Sequence, residues 1–97
     1  MAVAATSQIA AALNLSEDEL LEQAFVSLLR DKKRQVLQTR LELLARYGVG
    51  TLTELESLIA EGRVPEHPAW EDLIVAENLG ARLDELDAQL DYLQRTQ

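Results

Sequence analysis

Hydrophobic positions along the chain recur at helical spacing, and polar or glycine-containing breaks divide them into four segments. A short one spans TSQIAAALN at 6–14, with Ile9 and Leu13 at i and i+4 and Thr6 or Ser7 as its cap. It is too short to be stable alone, since isolated helices below about 12–15 residues are marginal. The next opens on Ser16-Glu17-Asp18-Glu19, a capping box whose acidic residues also suit the positive end of a helix dipole. Neither Pro nor Gly follows until Gly48, which suits a left-handed C-terminal cap. The spacing therefore predicts one helix over 17–47, roughly 45 Å long.

Within that helix the apolar residues fall into two blocks. Leu20, Leu21, Ala24, Phe25, Leu28 and Leu29 form the first, and Val36, Leu37, Leu41, Leu43, Leu44 and Tyr47 the second. RDKKRQ at 30–35 separates them without an apolar residue, so the two blocks are expected to face different neighbours. A short helix is predicted at 52–61, where Leu52, Leu55, Leu58 and Ile59 share a face. Thr51 with Glu54, or Thr53 with Glu56, caps it, and Gly62 ends it. Pro65 and Pro68 disfavour helix in the residues before them, and Pro68 fits the first turn of the last helix, 68–95. There Ala76, Leu83 and Leu90 alternate with Leu79, Leu86 and Leu93 at heptad spacing, a coiled-coil or helix-hairpin seam. Gly80 lies off the seam and implies either a bend or a close neighbour.

These lengths set the architecture. A compact chain of this size has a radius of gyration of about 12–13 Å, too small to enclose two helices of about 40–45 Å. The expectation is one all-α domain over 1–97: an elongated antiparallel hairpin of two long helices, with a 1–15 arm and short accessory helices. A single hairpin leaves part of each stripe wet, and each buried Leu contributes about 1.5–3 kcal/mol. The imbalance predicts a homodimer or a complex with another protein. Leu20, Leu21, Phe25, Leu28 and Leu29 are the candidate dimerisation face. Trp70, Leu79, Leu83, Leu86, Leu90 and Leu93 are the candidate partner-binding face.

Composition narrows the chemistry. With 47% hydrophobic residues, four Gly and two Pro, the chain is neither collagenous nor disordered. It holds no Cys, which excludes a disulfide framework and a cysteine-based zinc site and permits a reducing compartment. No stretch resembles a signal peptide or a membrane span, so a cytoplasmic protein is expected. The net charge of −8 argues against a wholly nucleic-acid-binding surface. That charge is polarised: residues 1–47 carry six acidic and six basic side chains, residues 48–97 eleven and three.

No phosphate-binding loop or nucleophile motif occurs, and no catalytic, metal or cofactor site is expected. His67, the single histidine, lies in the linker before Pro68 without converging ligands. The carboxylates at 84, 85, 87 and 91 read as a solvated helix face. Arg30, Lys32, Lys33 and Arg34 could touch phosphate, or they could form a solvated belt or pair with the acidic last helix. Trp70 either staples the linker to the hairpin or anchors an interface, a role in which Trp is enriched. The acidic last helix could steer a basic partner.

RYGVGTLTELESLIAEG at 46–62, VPEHPAWEDLIVAENL at 64–79 and IAAALNLSEDELLEQA at 9–24 together resemble small helical antitoxins of prokaryotic toxin–antitoxin modules. The shared features are the Tyr47-Gly48 turn, the Leu55–Ile59 helix and the turn from His67 to Asp72. The resemblance implies a dimer that masks a small toxin, often a ribonuclease, and represses its own operon. Residues 1–8, MAVAATSQ, lack the alternating basic strand with which ribbon-helix-helix antitoxins read DNA. Two other readings stand beside it: a self-associating structural oligomer, and a DNA-binding regulator using Arg30, Lys32, Lys33 and Arg34.

Overall fold

The computed structural model describes the backbone of residues 2–95 and the side chains of residues 5–95. Among these residues it contains four helices and no strand: α1 (Ala2–Ala12), α2 (Glu17–Ala45), α3 (Leu52–Ala60) and α4 (Glu66–Arg95). The molecule is elongated, 60 × 25 × 19 Å, with a radius of gyration of 19.4 Å. That is far above the value for a compact chain of this length.

Local chemistry sets most boundaries. Ser16 Oγ accepts from the Glu19 amide at 3.1 Å, and the Ser16 amide donates to Glu19 Oε1 at 3.0 Å, closing the capping box of α2. Those bonds stabilise the charged form and hold the Glu19 carboxyl below its ordinary pKa. Of the two threonines that could cap α3, Thr51 does so, accepting from the Glu54 amide at 3.1 Å. Three helices end in one motif. Asn14, Gly48 and Gly62 have φ of 58°, 69° and 69°. The amides of Leu15, Val49 and Arg63 then reach back to Ala10, Leu44 and Leu58, and those of Asn14, Gly48 and Gly62 to Ala11, Ala45 and Ile59. This double bond from a left-handed residue and its successor satisfies carbonyls the helix leaves open. The first helix begins at Ala2, four residues before the 6–14 segment, because Ala2, Ala4 and Ala5 are strong helix formers ahead of the Thr6 cap candidate.

The core lies at the α3 end of the molecule. Leu44, Leu55, Ile59, Ala69 and Leu73 form its buried cluster, flanked by Tyr47, Val49, Leu52 and Val64. From there α2 and α4 lie against each other, later residues of α2 meeting earlier ones of α4. The Tyr47 hydroxyl donates to Asp72, and Lys33 Nζ lies 2.6 Å from Asp87. α3 packs on α4, and α1 on α2.

On α4 the residues turned inward are those of the heptad seam: Ala76, Leu83 and Leu86 are buried, and Leu79, Leu90 and Leu93 half-buried. On α2 the inward positions are Glu22, Val26, Leu29, Lys33, Val36, Arg40 and Leu43, spaced alternately four and three residues apart, with Leu44 beside Leu43 and Tyr47 continuing the spacing just past the helix end. This face runs through the polar belt that separates the two apolar blocks of α2, and the second block, through Leu44 and Tyr47, meets the core at the α3 end. The polar middle of α2 also meets α4, because the stem of Lys33 fills a seam position while its ammonium pairs with Asp87. Gly80 has neither a close neighbour nor an interruption of the helix: a Cβ built there meets nothing within 4 Å, and α4 runs through it.

Candidate association surfaces

The α3–α4 corner carries a hollow of about 400 Å³. Its floor is apolar, formed by Ile59, Ala60 and Leu73, and Trp70 stands beside it. Every charged residue lining it is acidic: Glu56, Glu66 and Glu77. Trp70 is half-exposed, and so is Ile74, one turn further along α4. The local sequence explains the placement. His67 is extended (φ −97°, ψ 124°), as the residue before a proline prefers, and regular helix begins beyond it. That start turns Ala69 and Leu73 into the core, both at 2% exposure or less, and leaves Trp70 on the outer side. Ala69 and Leu73 join the buried cluster against which Val64 of the linker packs, while Trp70 keeps half of its surface exposed.

Close by, the Tyr47 hydroxyl donates to Asp72 between the end of α2 and the start of α4. Loss of solvation, followed by the bond to Asp72 and its negative charge, pushes the Tyr47 phenol up to about 12. All three effects disfavour the phenolate, so Tyr47 stays protonated and serves as a fixed donor.

The remaining candidate residues separate. Leu79, Leu90 and Leu93 are half-buried along the α4 seam, whereas Leu83 and Leu86 are 8% and 3% exposed and taken up by the chain's own packing. On α2, Leu20 and Leu29 are half-buried, while Leu21, Phe25 and Leu28 are exposed at 40%, 50% and 56%. The last three lie at i, i+4 and i+7, one outward stripe of the helix. Ile9 and Leu13 of α1 are exposed as well.

Two of the four belt cations have partners within the chain. Lys33 meets Asp87, and Arg34 lies 2.5 Å from Asp31. Arg30 and Lys32 are exposed on α2. A hollow of about 580 Å³ beside this belt carries both signs of charge, with Glu19, Glu22, Arg30, Asp31 and Arg34 in its lining. His67 is exposed, with Nδ1 3.1 Å from Glu71 Oε1. Asp84, Glu85 and Asp91 are exposed, and Asp87 is the half-buried partner of Lys33. Among the described residues no three His, Cys, Asp or Glu side chains converge as metal ligands. No described helix is long and apolar enough to cross a membrane.

The sequence marks the acidic corner only in part. It marks Trp70, but Glu56 and Ile59 lie 14 and 11 residues before it on α3 and Glu77 seven residues after it on α4, so only the turn between the helices brings them together. Three-residue and four-residue spacing within α3 and α4 marks their faces, and nothing local marks that the faces meet. No curated protein and no solved structure matches the chain. The model of the Uncharacterized protein MJ0235 family matches residues 1–97, and the chain belongs to that family.

Proposed function

We propose that the chain is a non-enzymatic protein-binding module of the antitoxin type, a homodimer built on an antiparallel helical hairpin that masks a small basic protein. The observation that carries this reading is the α3–α4 corner. A half-exposed Trp70 stands over an apolar floor, and Glu56, Glu66 and Glu77 surround it without a lining cation. Such a site favours an apolar anchor flanked by Lys or Arg. The aromatic and apolar floor supplies the contact area, and the carboxylates steer the approach and disfavour acidic competitors. The surplus of acidic residues over 48–97 extends the same field around it. Trp70 is the first contact assigned to the partner, with Leu79, Leu90 and Leu93 at the margin of the α4 seam; Leu83 and Leu86 would act from beneath.

A second reading, a self-associating structural oligomer, draws on the exposed Leu21, Phe25 and Leu28 of α2. A DNA-binding regulator has less behind it, since Lys33 and Arg34 are already engaged by Asp87 and Asp31. Affinity capture of the tagged chain from its host, followed by native mass spectrometry, separates the first two readings. A small basic protein retained at fixed stoichiometry is expected. Recovery of the self-oligomer alone, under conditions where a partner is expressed, would favour the structural assembly.

A further inference from the structure

The outward stripe of α2 has a pattern of its own. Asp18, Leu21, Phe25, Leu28 and Lys32 follow one another at spacings of three, four, three and four residues, and all five are exposed. The intervening seam positions, Glu22, Val26 and Leu29, are half-buried on the inward side, so the stripe is not the face that meets the rest of the chain. Three apolar residues occupy its middle, with an acid seven residues before Phe25 and a base seven residues after it. The stripe spans about 21 Å of helix.

This pattern is self-complementary in one direction only. Heptad-spaced apolar residues on an exposed helix face call for a second helix. In a parallel pair of identical helices Asp18 would face Asp18 and Lys32 would face Lys32. In an antiparallel pair centred on Phe25, the apolar middle of each helix covers that of the other, and Asp18 of each copy lies beside Lys32 of the other. A two-fold interface repeats every contact, so the arrangement creates two such charge pairs. It also sets the acidic first turn, Glu17 to Glu19, beside the basic belt of the partner copy.

We propose that the Asp18–Leu21–Phe25–Leu28–Lys32 stripe of α2 is an interface on which a second copy of the chain docks antiparallel, about a two-fold axis near Phe25. The proposal rests on the reading of the chain as a homodimer and supplies the face and direction. It leaves the acidic α3–α4 corner of both copies outside the interface, so dimerisation and partner capture use separate surfaces.

Sedimentation equilibrium of purified chain over a dilution series tests it. The wild type is expected to be dimeric. Phe25→Glu, a change at an exposed position, is expected to give a monomer with unchanged helix content by circular dichroism. Asp18→Lys and Lys32→Asp should each weaken the dimer roughly tenfold, because each converts two attractions into two repulsions. Mixing these two variants should restore wild-type affinity as a heterodimer, which a mere folding defect in either chain would not do. A wild-type dimer indifferent to Phe25→Glu, or single charge variants that dimerise as well as wild type, would overturn the interface while leaving self-association standing. A wild type that stays monomeric throughout would overturn both.

Discussion

At the scale of single residues, the contact between Tyr47 and Asp72 ties the end of α2 to the first turns of α4. Both groups are half-buried, and the bond is charge-assisted, a class that contributes about 1.5–3 kcal/mol when shielded and less when partly wet. Tyr47→Phe removes the donor and leaves the Asp72 carboxylate without it, so a loss of about 1 kcal/mol is expected in urea unfolding. The pH dependence has a definite sign. The phenol titrates near 10 in an unfolded chain and is pushed up to about 12 in the folded one. The folded state therefore holds this proton more tightly. The stabilisation is complete below about pH 10 and is lost as pH rises from there through 12. Wild type should lose stability over that window more steeply than Tyr47→Phe, and equal slopes would show that the bond does not shape the titration.

At the scale of elements, the caps could be read from the sequence because each depends on a few adjacent residues. Ser16 with Glu19 and the left-handed Gly48 and Gly62 needed no tertiary information. The α4 seam was readable for a related reason: Ala76, Leu79, Leu83, Leu86, Leu90 and Leu93 are all apolar, so periodicity and burial coincide. On α2 they diverge. Its inward face includes Glu22, Lys33 and Arg40, whereas Leu21, Phe25 and Leu28 point outward. Hydrophobic periodicity therefore highlights the wrong stripe for intrachain packing, and only the pairing of Lys33 with Asp87 reveals why a cation occupies the seam. Gly80 supplies the prediction at this scale. It lies inside a long helix, and a Cβ there would meet nothing within 4 Å. Gly80→Ala should raise stability by about 0.5–1 kcal/mol through helix propensity alone, read as a higher urea midpoint at unchanged m-value. Destabilisation would reveal a neighbour at this position.

At the scale of the whole molecule, its elongation separates two surfaces of different character. The core at the α3 end holds Leu44, Leu55 and Leu73, the largest fully buried side chains. The acidic hollow beside Trp70 sits on that core, while the self-complementary stripe lies on the earlier half of α2. Helical class and elongation were predictable from segment length against the size of a compact chain. The acidic hollow was not, because it exists only where α3 folds back on α4 and brings Glu56 next to Trp70 and Glu77.

The central claim is that Trp70 and its three glutamates hold a basic partner. Native mass spectrometry of complexes captured from the host by wild type and by two altered baits tests it most directly. One bait carries Trp70→Ala, the other Glu56→Gln, Glu66→Gln and Glu77→Gln together. The expected spectra show a small basic protein bound at fixed stoichiometry to wild type and lost from both altered baits, with the self-oligomer mass unchanged in all three. A partner retained in full by both altered baits would contradict the claim.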